Sequence, residues 1–227
     1  MTQTLLIEDL KCVVTRAPRP SSRVLYMIYP EIEGISSDWL GKVADEYDVG
    51  VVMVYVPADE WNNYLTPWPE PGETPDSPPF GGKAREFLAL LEEKVVPEAE
   101  KILGCGNVPT RYLAGVSLSG LFTLWQWMLS DTFASIASLS GSFWYAGFME
   151  WFEKTPLPAK TGSAYFLLGR QEPHAHIKAY RSVGENTEAV VNRLQGAGVK
   201  VRFDWVPGNH FSDPLGRAAL ALGHLLG

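Results

Sequence analysis

Little in this sequence points to nucleic acid, a membrane or a disulfide scaffold. Basic residues are outnumbered, with 19 Lys plus Arg against 26 Asp plus Glu and a formal net charge of -7. None of them cluster into a phosphate-tracking patch, so nucleic acid is not an expected partner. Cysteine is scarcer still: Cys12 and Cys105 are the two present, and they lie far apart with no metal-ligand spacing. They read as structural thiols of a reducing compartment. No apolar stretch reaches the roughly 18 residues a membrane span needs, and residues 1–10 carry no basic start and an apolar run of only three. The expectation is a soluble, cytoplasmic chain without a membrane partner.

Hydrophobic residues make up 46% and charged residues 20%, a balance that excludes disorder and can bury a core. At 227 residues the chain reads as one domain over 1–227. Short β-branched and aromatic runs at 24–29, 49–56, 112–116, 136–139, 164–168 and 199–206 alternate with helical patterns at 37–47, 83–103, 118–129, 187–195 and 214–226. That alternation specifies an α/β fold with a mostly parallel central sheet flanked by helices. Residues 4–15 supply one or two antiparallel edge strands, Pro97 kinks or divides the second helix, and Asp213-Pro214 caps the last. Proline and tryptophan are the surplus, at 17 and 8, and six prolines fall between Pro67 and Pro79. The segment 57–82 is long for a loop, and its Trp61, Tyr64, Trp68 and Phe80 argue against a solvated linker.

The sharpest local signal is Tyr112 to Leu121, YLAGVSLSGL, read as strand, turn and helix. Gly115, Ser117 and Ser119 fit G-x-S-x-G except at the last position, where Ser is also small. A nucleophile elbow needs small residues on both sides of the serine so that strand and helix can approach. The N–H of Leu118, at the start of the helix, would face a developing oxyanion. A plain strand-to-helix turn is the competing reading.

A serine nucleophile needs a base and an orienting acid. His210, in the loop VPGNHF after the last strand, is placed as the base, against the alternative of a surface or turn histidine. His174 and His176 form H-A-H without a third ligand, so no metal is expected, and His224 reads as packing or capping. Glu172, four residues past the strand at 164–168, completes the order Ser, Glu, His. Its rivals are Glu185 and Glu188, which open the next helix, and the cap Asp213; a plain surface glutamate is the further alternative. The segment after 136–139 offers no acid until Glu150.

Together AGVSLSGLF around Ser117, EWNNYLTPWP in the long loop, SGSFWY at 140–145, VGENTE at 183–188 and PGNHF around His210 resemble the α/β-hydrolase superfamily. Within it they are similar to esterases related to esterase D and the enterochelin-type (siderophore) esterases. The resemblance implies an α/β-hydrolase fold without a large lid domain and a serine esterase cleaving carboxylic esters through an acyl-enzyme. Ser117 would be the nucleophile, His210 the base and Glu172 the acid, with oxyanion donors from Leu118 and Glu31. It implies a small-molecule ester as partner, and the acyl-enzyme mechanism requires no cofactor. Trp61, Trp68, Trp144 and Tyr145 offer flat apolar walls to an aryl or acyl group, with simple packing of the loops onto the domain as the competing reading. A non-catalytic binding protein on the same fold, or a thioesterase or acyltransferase using the same residues, stays open at this point.

Overall fold

The computed structural model describes residues 1–30, 35–105, 109–159 and 161–227. Strands β1 (Thr2–Ile7) and β2 (Leu10–Thr15) form an antiparallel hairpin on the edge of the sheet. Then come β3 (Arg23–Tyr29), α1 (Ser37–Tyr47) and β4 (Gly50–Tyr55). The long loop is ordered around a one-turn helix, α2 (Trp61–Tyr64), and a two-residue ribbon of β5 (Pro69–Glu70) and β6 (Phe80–Gly81).

The second helical region is continuous but not uniform: α3 (Ala84–Leu90) runs through a π-helical turn at Leu91–Val95 into α4 (Val96–Leu103). Pro97 sits in the first turn of α4, where its missing N–H costs least, so the expected break is absorbed as a π turn. The remaining elements are β7 (Thr110–Val116), α5 (Leu118–Leu129), β8 (Ser135–Leu139), α6 (Phe148–Lys154), β9 (Ser163–Gly169), α7 (Val183–Gly196), β10 (Lys200–Val206) and α8 (Pro214–Leu226).

The large sheet has eight strands in the order β1-β2-β4-β3-β7-β8-β9-β10. β2 pairs antiparallel with β4, and every pairing from β4 to β10 is parallel. β4 is buried throughout, as a strand covered on both faces must be. One face packs against Phe87, Ala99, Leu121, Phe122, Phe152 and Val190, from α3, α4, α5, α6 and α7. The other packs against Leu40, Ala44, Ala218 and Leu222, from α1 and α8. This is an α/β-hydrolase architecture: the carboxyl ends of β7, β9 and β10 open on one edge, where the segments carrying Ser117, Glu172 and His210 follow them.

Candidate active site

Ser117 follows β7 directly and precedes α5, with φ 59° and ψ -124°. A non-glycine residue holds such a backbone only where its surroundings fix it. Here Ser117 N–H donates to Leu139 O at 3.0 Å and Ser117 O accepts from Ser142 N–H at 3.1 Å, tying the turn to the end of β8. A Cβ on Gly115 would come within 2.4 Å of Ser119 O, so the approach of helix to strand requires glycine there. Ser119, fully buried, has a specific use. Its Oγ accepts from Val116 N–H at 2.8 Å and lies 2.6 Å from Ile28 O, to which it donates, pinning the elbow to the neighbouring strand β3. The Leu118 N–H opens α5, where the first-turn amides have no intrahelical carbonyl to bond.

Glu172 lies in the turn after β9 and is 6% exposed. Its two oxygens have different jobs. Oε2 lies 2.9 Å from His210 Nδ1, while Oε1 accepts from Ser140 Oγ at 2.7 Å, Gly169 N–H at 2.7 Å and Arg217 Nη1 at 3.2 Å. Burial pushes the Glu172 carboxyl up, but the bonds from His210, Ser140 and Gly169 outweigh it and hold the group below the usual carboxylate range. With Nδ1 engaged, Nε2 is the imidazole nitrogen left for a second partner. Among the described residues Ser117 and His210 form no hydrogen bond; Ser117 Oγ has Ser142 Oγ at 3.5 Å. Such links are often long in unliganded sites and tighten around substrate.

Two clefts of about 810 and 750 Å3 meet at this point and share Trp61, Ser117, His210 and Phe211. The first is walled by Tyr29, Tyr55, Val56, Val116, Leu139 and Pro214, and is mainly apolar. The second is walled by Glu73, Ser142, Trp144, His174, His176 and Tyr180, with the rings of Trp144 and Tyr180 4.4 Å apart.

The structure thus brings Ser117, His210, Glu172, Trp61 and Trp144 to one place. Two of the expected substrate walls need correction. Trp68 and Tyr145 line neither cleft: Trp68 Nε1 donates to Ala146 O at 3.0 Å, and Tyr145, 2% exposed, donates to Trp68 O at 2.5 Å. Their polar handles and rings lock the long loop onto the 143–152 segment, which also holds Trp151 6.3 Å from Trp68. Glu31 lies outside the described residues. Among the rival acids, Glu188 accepts from Trp205 Nε1 at 3.3 Å, Glu185 sits in the first turn of α7, and Asp213 caps α8 by accepting from Gly216 N–H at 3.0 Å.

Three members of the site were not singled out by sequence: Ser140, Phe211 and Arg217. Phe211 is 86% exposed at the mouth of both clefts, and nothing in its local pattern distinguishes it. Arg217 did leave a trace, as a cation near the start of a helix whose other ionisable side chain is His224 in the last turn.

A sequence model described as putative esterase matches residues 29–203. The uncharacterized protein YbbA of Bacillus subtilis (strain 168) is 24% identical over 150 residues, 65% of this chain and 60% of that protein; the chain thus aligns with under two thirds of that curated relative's length. In structure the chain is similar to an IroE-like serine hydrolase from Shewanella oneidensis, with TM-score 0.82, 15% identity, and coverage of 100% of this chain and 80% of that one. It is also similar to the enterobactin and salmochelin hydrolase IroE, with TM-score 0.71, 20% identity, and coverage of 100% and 94%. These likenesses place the fold among the α/β-hydrolases, and the sequence match over residues 29–203 makes this chain a member of the putative esterase family.

Proposed function

We propose that the protein is a serine-dependent carboxylic-ester hydrolase working through an acyl-enzyme, with Ser117 as nucleophile, His210 as general base and Glu172 as the orienting acid. The observation that carries this reading is the buried Glu172 carboxylate 2.9 Å from His210 Nδ1, on a cleft that Ser117 also lines. His210 Nε2 takes the Ser117 proton as Oγ attacks the ester carbonyl, and returns it to the leaving alcohol. Glu172 fixes the imidazole tautomer and stabilises the imidazolium. Water, activated by the same nitrogen, then attacks the acyl-enzyme and releases the carboxylic acid and free Ser117. The Leu118 N–H at the start of α5 is one donor for the oxyanion, aided by the positive end of the helix.

The two clefts meeting at Ser117 suit a small-molecule ester with an arm on each side of the scissile bond. The residues at hand carry out the whole sequence, and no cofactor is assigned to it.

Short-chain p-nitrophenyl esters test the reading. Wild type is expected to turn them over and Ser117→Ala to fall to background. Glu172→Gln is expected to lose roughly 10³–10⁴-fold in kcat, while Glu188→Gln keeps wild-type rates. Turnover that survives in Ser117→Ala, or a loss in Glu188→Gln equal to that in Glu172→Gln, contradicts the assignment.

A further inference from the structure

We propose that Arg217 is a positioning residue for the Glu172–His210 pair, holding the carboxylate and the loop that carries the imidazole as one unit. The inference rests on the ester-hydrolase reading above. Arg217 lies in the first turn of α8 and is 5% exposed. Nη1 donates to Ser140 Oγ at 3.0 Å and to Glu172 Oε1 at 3.2 Å. Nη2 donates to Asn209 O at 2.6 Å and to Pro207 O at 3.4 Å. One guanidinium therefore grips the acid with one nitrogen and the chain just ahead of His210 with the other.

Three observations set this apart from ordinary packing. A cation in the first turn of a helix opposes the macrodipole, and a buried one is costly unless an anion meets it; Glu172 is that anion. The carboxylate divides its oxygens, Oε2 to His210 and Oε1 to Arg217, so the imidazole and the guanidinium do not compete for one atom. The fit is also close, since a Cβ on Gly169 would lie 2.7 Å from Arg217 Nη2 and 2.8 Å from Glu172 Oε1. Lysine carries the same charge but has no planar fork to span both partners.

The electrostatic consequence has a definite sign. Arg217 Nη1 places a positive charge 3.2 Å from Glu172 Oε1. Removing the cation eases proton binding at either member of the pair, and the acidic limb of kcat/KM moves to higher pH. Asp9, Lys11, Glu73, His174 and His176, the other charged or ionisable imidazole and carboxylate groups on the cleft walls, remain in every variant, so a comparison isolates Arg217.

The test is the pH profile of kcat and kcat/KM for wild type, Arg217→Gln and Arg217→Lys, each verified as folded by circular dichroism. Arg217→Gln is expected to lose about 100-fold in kcat and to shift the limb up by about one pH unit. Arg217→Lys is expected to restore the limb while kcat stays about tenfold low, because the charge returns without the fork. An NMR titration of the His210 ring should move with the limb in Arg217→Gln, and it reads the pair without substrate. An unmoved ring titration overturns the proposal even in a protein that hydrolyses no ester, whereas loss of Ser117-dependent turnover in wild type overturns the ester reading alone. Should Arg217→Gln not fold, wild-type kcat in Arg217→Lys overturns the proposal.

Discussion

Ser117, the nucleophile of the proposed mechanism, also holds a strained backbone. At φ 59° and ψ -124° its backbone sits where glycine is at ease and other residues cost of order 1–3 kcal/mol. That strain is independent of the hydroxyl, so nucleophile and stability can be separated. Ser117→Gly is expected to raise stability by about 1 kcal/mol, or about 2–4 °C in Tm for a chain of this size, while abolishing turnover. Ser117→Ala keeps the Cβ and should gain much less. Calorimetry of both variants checks this, and a lower Tm for Ser117→Gly than for Ser117→Ala contradicts it. Ser119 makes the complementary point. By sequence it departs from the small glycine of the motif, whereas in the structure its hydroxyl ties Val116 and Ile28 together at the elbow.

At the scale of elements, α8 does more than cover the sheet. Asp213, at φ 48°, caps it through Gly216 N–H, and the turn so fixed carries Arg217 to Glu172. Asp213→Ala is therefore expected to cost about 1 kcal/mol as a lost cap and to lower kcat/KM of the folded enzyme several-fold, with Asp213→Asn close to wild type in both. Paired Tm and kinetic measurements decide; a destabilised Asp213→Ala with full activity would disconnect the cap from the site. The bounds of α1, α5 and α8 were legible from sequence because their signals are local, such as the Asp213-Pro214 start and the apolar period. α7 begins at Val183, four residues ahead of the expected Thr187, because Gly184, Glu185 and Asn186 separate Val183 from the apolar rhythm that resumes at Val190. α2 and α6, at four and seven residues, are too short to establish a period.

For the molecule as a whole, the parallel sheet does the assembling, placing residues from β7, β9 and β10 on one edge. The strands, and the placement of Ser117, Glu172 and His210 just past three of them, were readable because buried strands are continuous apolar runs and the loops at their carboxyl ends gather on one edge. The contacts of Arg217 were not, since Ser140 lies 77 residues away and Glu172 45, and only the strand order makes them neighbours. The aromatic surplus was readable as belonging to the end of the sheet where the clefts lie, but not its division. Trp61 and Trp144 face the clefts, while Trp68 and Tyr145 secure the loop, a distinction set by which polar atoms each ring reaches. The claim on which the account turns is that this assembly makes Ser117 a nucleophile. Intact-mass analysis and peptide mapping after exposure to a fluorophosphonate test it most directly. The account predicts one adduct, on Ser117, absent in Ser117→Ala and strongly slowed in His210→Ala; a protein that stays unmodified, or is modified at another residue, contradicts it.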